Sequence, residues 1–181
     1  MSDHTIDLLF SAETIAQRID EMAAQLAPTL PEDPILLGLM NGAFIFIADF
    51  ARALSKQGVS ATLDFMTLSS YGAGTETSGR VQVVQDCRED LAGRTVILLD
   101  DILDSGYTMA FAKRHLKMND AAKVISVVLL NKQERRQVDI KANLVGFEVP
   151  NLFVVGYGID YAHRYRDLPY VGTVRFDKDA S

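Results

Sequence analysis

The stretch Thr95–Thr108, TVILLDDILDSGYT, decides how the rest of the chain is read. Thr95-Val96-Ile97-Leu98-Leu99 is a continuous apolar run rich in β-branched residues, the pattern of a strand buried on both faces. Asp100 and Asp101 stand where that strand should emerge, Asp104 opens Asp-Ser-Gly-Tyr-Thr, and Thr108–Met118 has a helical pattern. Strand, loop and helix in this order put the acidic residues in the crevice beyond the carboxyl ends of a parallel sheet, where ligands bind. Carboxylates crowded there repel one another unless a cation or a ligand's hydroxyls hold them.

The loop narrows the ligand. Ser105, Gly106 and Thr108 are small or hydroxyl-bearing, so the backbone can curl and aim its N–H groups outward. The helix that follows adds its positive N-terminal end, and the two together make a cradle for one phosphate. The carboxylates suit the vicinal hydroxyls of a ribose with Mg²⁺ nearby, so the segment is read as a ribose 5-phosphate site. Rival phosphate motifs do not fit: the chain has neither a Gly-Lys-Ser/Thr loop nor a G-x-G-x-x-G. A plainer alternative, in which Asp100-Asp101 ends a strand and Asp104 caps a helix, is the weaker reading of this chemistry.

Composition bounds the rest. With 181 residues the chain is expected to be one domain, residues 1–181, large enough to bury a substantial core. Its 48% hydrophobic content without a long apolar span indicates a globular protein that does not enter a membrane. No basic segment precedes an apolar one at the N-terminus, so no signal peptide is read and a cytoplasmic location is expected. Cys87 is the only cysteine, and His4, His115 and His163 are scattered, which argues against disulfides and zinc. A net charge of −6 and a pI near 5.0 disfavour nucleic acid as a partner but leave a small phosphorylated metabolite open.

Upstream, Ser11–Ala27 has apolar residues at helical spacing, with Ser11 as N-cap and Pro28 and Pro31 as terminators. Ile35–Leu39 reads as a buried strand, Met40-Asn41-Gly42-Ala43 as a tight turn and Phe44–Lys56 as an apolar helix, half of a βαβ unit. Ser60–Leu68 reads as a strand. The polar, glycine-rich run Ser69–Arg80 reads as a lid or loop, followed by a strand at Val81–Gln85. Further strands are expected at Val124–Leu130, Leu144–Val149, Phe153–Tyr157 and Val171–Phe176, and Glu134-Arg135-Arg136 as a solvated turn. Tyr157, Tyr161 and Tyr165 recur at helical spacing, which usually means packing.

Val96–Thr108 resembles the phosphoribosyl-pyrophosphate (PRPP) binding motif of type I phosphoribosyltransferases. Further stretches resemble the bacterial hypoxanthine (6-oxopurine) branch: Leu63–Thr67 with Ser69–Gly72, Leu129–Lys132, Phe153–Tyr161 and Arg164–Tyr170. The similarity runs from about Ile35 to Phe176. It implies an α/β fold with a mainly parallel sheet flanked by helices. A small hood, built from the N-terminal segment and parts of 133–181, would hold the base.

The implied activity is purine salvage: PRPP and a 6-oxopurine give a nucleoside 5′-monophosphate and pyrophosphate, with Mg²⁺ as cofactor, in a homo-oligomer (dimer or tetramer). Asp104 would be the general base. Asp100 and Asp101 would position the ribose, directly or through metal. Ser105, Gly106, Tyr107 and Thr108 would hold the phosphate. Asn41 and Gly42 would meet pyrophosphate after a cis peptide at Met40–Asn41. Lys132 would donate to the exocyclic oxygen, Phe153 would stack on the purine, and the Val154 backbone would meet its 2-position. Asp160 would hold a Mg²⁺, and Arg166 would bind pyrophosphate. The lid, residues 69–80, would close Ser70 and Tyr71 over the pyrophosphate, because water would capture an oxocarbenium-like sugar.

The chain departs from the family at three of these positions: Asn41 stands where Lys or Arg is usual, Asp100 where Glu is usual, and Tyr107 where Asn or Lys is usual. Two rivals remain. A phosphate-receiver domain also gathers carboxylates around Mg²⁺, but its acidic pair belongs near the domain start. A regulator that keeps the transferase fold and binds nucleotide or RNA conflicts, for RNA, with the acidic pI.

Overall fold

In the computed structural model, which describes residues 4–71 and 80–176, the fold is organised by strands whose two faces are both apolar. Six strands form one sheet: β2 (Ile35–Met40), β3 (Thr62–Tyr71), β4 (Arg80–Gln85), β5 (Thr95–Leu103), β6 (Lys123–Asn131) and β7 (Leu144–Glu148). Their order is β4-β3-β2-β5-β6-β7, parallel throughout except for the antiparallel pair of β3 and β4. The mainly parallel sheet read from the sequence is therefore present. A second, antiparallel sheet joins the chain ends, with β1 (His4–Phe10) against β9 (Val171–Phe176) and β9 against the short β8 (Val154–Val155).

Helices cover both faces of the large sheet. On one side α1 (Ala12–Leu26) and α2 (Phe44–Lys56) bury Ile15, Ile19, Met22, Phe46 and Phe50 against Leu36, Ile97 and Leu99. On the other, α3 (Tyr107–Met118) buries Met109, Ala112 and Leu116 against Ile35, Leu37, Val96 and Leu98. Alternate residues of β2 and β5 serve opposite cores, so their sequences read as unbroken apolar runs. Each such Leu or Ile contributes about 1.5–3 kcal/mol by leaving water. Ser11 caps α1 as expected, its Oγ accepting the Thr14 N–H at 3.2 Å.

Several elements differ from expectation. β5 does not end before Asp100 but runs to Leu103, because β6 is long enough to pair with it through Ile102↔Leu130 and Leu103↔Asn131. β2 stops pairing at Gly38↔Leu99, so the last four residues of β5 keep a neighbour on one side only. β3 likewise continues past Leu68: Ser69, Ser70 and Tyr71 pair with Gln82, Val81 and Arg80, which makes the two ends of the expected lid a ladder. The rest of that lid, residues 72–79, lies outside the described residues. Phe153, Gly156 and Tyr157 are not part of β8. Tyr157 and Tyr165 take left-handed φ angles of 50° and 74°, so the tyrosine spacing reflects no helix.

Candidate active site

The extension of β5 carries Asp100 and Asp101 into the crevice while keeping them on a rigid ladder. Asp100 is buried, only 8% exposed, and its Oδ1 accepts the Asp101 N–H at 3.0 Å. Asp101 Oδ1 accepts the Ile102 N–H, also at 3.0 Å. Burial pushes the Asp100 carboxyl well above the usual carboxylate range, and the Asp101 charge beside it pushes the same way. Burial raises Asp101 too, with the Arg166 guanidinium among the groups that hold it down. Two buried carboxyls that each resist ionising are a donor set in want of positive charge.

Beyond them the chain turns through Asp104 and Ser105 to Gly106, which starts α3 in the left-handed region at φ 92°. A side chain at Gly106 would be strained there and would press on Ile140 and on the stem of Arg136. No side chain caps this helix, so its first amides stay available to an anion. The helix begins at Tyr107, one residue before the expected Thr108. Ser105, Gly106, Tyr107 and Thr108 thus form one loop and helix start.

The turn after β2 approaches from the side that β5 leaves open. The Met40–Asn41 peptide is cis, as the similarity implied. A Cβ on Gly42 would overlap the Asp101 carboxylate, so the turn and the acidic pair touch. Gly158, at φ 98°, packs so closely that a Cβ there would overlap the Gly42 carbonyl. This contact fixes the segment that carries Asp160 and Arg166. Arg166 Nη1 donates to Gly158 O at 2.6 Å and Nη2 pairs with Asp160 Oδ1 at 2.7 Å, while Asp160 Oδ2 accepts the His163 N–H at 2.8 Å.

On the other flank, Lys132 follows β6 and is only 6% exposed, with its N–H bonded to Leu103 O at 3.0 Å. Its ammonium has no ion-pair or hydrogen-bond partner among the described residues. Desolvation lowers its pKa, Asp104 raises it and Arg135 lowers it. Phe153 is 47% exposed and makes edge-on contacts with Tyr161 and Phe176. Val154 lies in β8, at the outer edge of the second sheet, opposite Thr173 of β9.

The phosphoribosyl transferase domain family matches residues 6–162, a span that contains the turn at Asn41, the acidic end of β5, the start of α3, Lys132 and Asp160, and that ends before Arg166. The chain belongs to the phosphoribosyltransferase family. It is 40% identical over 174 residues to the hypoxanthine phosphoribosyltransferase of Escherichia coli K12, covering 94% of this chain and 96% of that one. It is 39% identical over 177 residues to the hypoxanthine-guanine phosphoribosyltransferase of Bacillus subtilis, covering 97% of each. A crystal structure of a hypoxanthine phosphoribosyltransferase from Staphylococcus aureus superposes with a TM-score of 0.88 at 35% identity, over 93% of this chain and 91% of that one.

Within this phosphoribosyltransferase the sequence reading missed one residue that builds the site. The turn at Glu134-Arg135-Arg136 is solvated only in part. Glu134 and Arg135 are exposed, but Arg136 turns inward and makes four hydrogen bonds. Two of its partners, the Leu103 and Asp104 carbonyls, lie about a strand and a helix upstream, and local sequence gives no sign of them. Tyr157, read only as packing, donates its hydroxyl to Asp49 of α2 and so anchors the turn that holds Gly158. The Asp100–Asp101 pair fits a divalent cation. Asp160 does not join it, since among the described residues no three metal-capable side chains converge.

Proposed function

We propose that this enzyme transfers the phosphoribosyl group of PRPP to a 6-oxopurine (hypoxanthine, with guanine or xanthine as further substrates) and releases pyrophosphate. The single observation that carries the reading is a convergence in one crevice. The acidic end of β5, an uncapped helix start, the cis turn at Asn41 and a buried Lys132, whose ammonium has no partner among the described residues, all meet there.

In this reading the 5′-phosphate rests on the amides of Ser105, Gly106, Tyr107 and Thr108. Asp100 and Asp101 hold the ribose hydroxyls. Asn41 and Gly42 offer backbone to the pyrophosphate, and Arg166 adds positive charge; Asn41 itself adds none. Phe153 stacks on the purine and the Val154 backbone meets its 2-position. N9 of the base attacks C1′, the bond from C1′ to the pyrophosphate oxygen breaks, and the electron pair leaves with pyrophosphate. Asp104 takes the proton from the imidazole ring of the base.

Mg²⁺ bound beside Asp100 and Asp101, with a separate Mg²⁺ at Asp160, would neutralise the diphosphate and relieve the repulsion between the acidic pair. Most of its ligands would be substrate oxygens and water, in keeping with how sparsely Mg²⁺ uses protein ligands. The lid, residues 69–80 with Ser70 and Tyr71, would exclude water during transfer.

No helix among the described residues is long and apolar enough to cross a membrane, and cytoplasm is the proposed compartment. Leu63 and Phe65 project from one face of β3 at 51% and 39% exposure, which supports burial in a homo-oligomer, dimer or tetramer. The relatives are transferases, which disfavours a regulator binding nucleotide or RNA, and the acidic composition further disfavours its RNA form. The deciding experiment incubates the protein with PRPP, Mg²⁺ and each purine in turn. Nucleoside 5′-monophosphate and pyrophosphate in equal amounts support the transferase; neither product refutes it.

A further inference from the structure

Arg136 stands outside the crevice, yet its guanidinium bonds to the back of the phosphate loop. Nε donates to Asp104 O at 2.9 Å and Nη2 to Leu103 O at 3.1 Å. Nη2 also donates to Asn131 Oδ1 at 2.6 Å, and Nη1 donates to Ile140 O at 2.6 Å. Asn131 is itself oriented, because its Nδ2 donates to both carboxylate oxygens of Glu148 on β7 at 3.0 and 2.8 Å. That leaves Asn131 Oδ1 facing the arginine. The guanidinium fork thus ties the end of β5 to the ends of β6 and β7.

The neighbouring backbone continues the same pattern. Leu103 O also accepts the Lys132 N–H at 3.0 Å, and Ser105 O accepts the N–H groups of Gln137 and Val138 at 2.9 and 3.3 Å. Three successive carbonyls, at Leu103, Asp104 and Ser105, are therefore all held by the segment that starts at Lys132. A trans peptide is planar, with its C=O and the next N–H pointing in opposite directions. Holding those carbonyls turns the amides of Asp104, Ser105 and Gly106 the other way, out of the back of the loop. Two of the three carbonyls are held by Arg136.

We propose that Arg136 is a positioning residue that aims the loop amides, so that it sets affinity for the 5′-phosphate of the ligand without touching it. The inference rests on the reading of residues 104–108 as the phosphate loop. A lysine in its place keeps the charge but has a single donor atom, which cannot reach carbonyls on both sides of a planar fork.

The test compares inosine 5′-monophosphate with inosine, which lacks only the phosphate. Binding of each is measured by calorimetry for the wild type, Arg136→Lys and Arg136→Met. The wild type is expected to prefer the monophosphate by about a hundredfold, the scale of several charge-assisted bonds. In the variants that preference should shrink by about tenfold, with inosine affinity nearly unchanged. General loosening of the fold would weaken both ligands alike, leave the ratio as it was, and overturn the proposal. If Arg136→Met does not fold, the ratio in Arg136→Lys decides alone. Equal affinity of the wild type for both ligands would instead refute the phosphate-loop reading itself.

Discussion

Nε of Arg135 lies 3.1 Å from Oδ1 of Asp104, yet that oxygen accepts no hydrogen bond. The guanidinium sits at ion-pair distance but off the hydrogen-bonding direction. An enclosed carboxylate oxygen without a donor is an unsatisfied hydrogen-bond acceptor. In the proposed reaction the incoming base gives its proton to the other oxygen of this carboxylate, whose side chain is 37% exposed.

Asp104→Asn keeps the shape and removes the proton acceptor. Its kcat is expected to fall by about 10²–10⁴, the usual contribution of a positioned general base, with PRPP affinity much less affected. Steady-state kinetics with PRPP and hypoxanthine varied in turn give both quantities. A variant with near-wild-type kcat would remove Asp104 from proton transfer.

Asp100 leads to an opposite pairing of stability and activity. Its folded-state pKa is raised, first by burial and then by the Asp101 charge. The folded protein therefore binds this proton more tightly than the unfolded chain does. That contribution is complete below the ordinary carboxylate range and is lost as pH rises through the raised folded value. Without Mg²⁺, Asp100→Asn is expected to be more stable than the wild type near neutral pH, by about 0.5–2 kcal/mol, while losing activity. Thermal unfolding from acid to neutral pH would show the wild type losing ground relative to the variant. Parallel curves with no gain at neutral pH would contradict the raised pKa.

Much of this fold was legible because β2 and β5 are buried on both sides, which writes apolar runs such as Ile35–Leu39 and Thr95–Leu99 directly into the chain. The three helices were legible for a related reason, since each buries one stripe. Strand ends were less so. Whether β5 stops at Leu99 or Leu103 depends on the length of β6, a property of another segment. In the site, the acidic residues announced themselves by chemistry at a strand end, and Lys132 only through the family resemblance. Arg136 did not, because its role lies in carbonyls more than thirty residues upstream and carbonyls have no sequence signature.

Tyr157 supplies a third prediction. It is only 5% exposed, it is held at φ 50° between Gly156 and Gly158, and its hydroxyl bonds to Asp49. Burial and that bond push its phenol pKa up from 10.0. The folded value lies above the unfolded one, so the stabilisation is full below the unfolded value and is lost as pH rises through the folded one. Tyr157→Phe should cost about 0.5–1.5 kcal/mol at neutral pH and remove this alkaline loss. Because the turn carries Gly158 against Gly42, the KM for PRPP should rise as well. Denaturant titrations at neutral and alkaline pH measure the first effect; unchanged stability at both would show that the Asp49 bond is idle.

In the proposed reaction base choice rests on Lys132. A 6-oxopurine presents an acceptor at C6, whereas adenine presents an amino donor there. A lysine ammonium has three donors and no acceptor, so it matches the first and opposes the second. Lys132 is buried as a residue and its ammonium makes no hydrogen bond or ion pair among the described residues, so it is available to an acceptor on the ligand. Leaving such a group unmatched costs about 1–3 kcal/mol, and more for a charge, which a site can convert into discrimination of orders of magnitude. The burial that lowers the Lys132 pKa also brings its loss of charge to lower pH. The KM for hypoxanthine should therefore begin to rise at a pH below that of an ordinary lysine. Hypoxanthine or guanine should turn over, adenine negligibly, and Lys132→Ala should lose most activity with the 6-oxopurine. The measurement is kcat/KM for each base across neutral and alkaline pH, with both proteins. Efficient use of adenine by the wild type would sink the role of Lys132 and the 6-oxopurine specificity together.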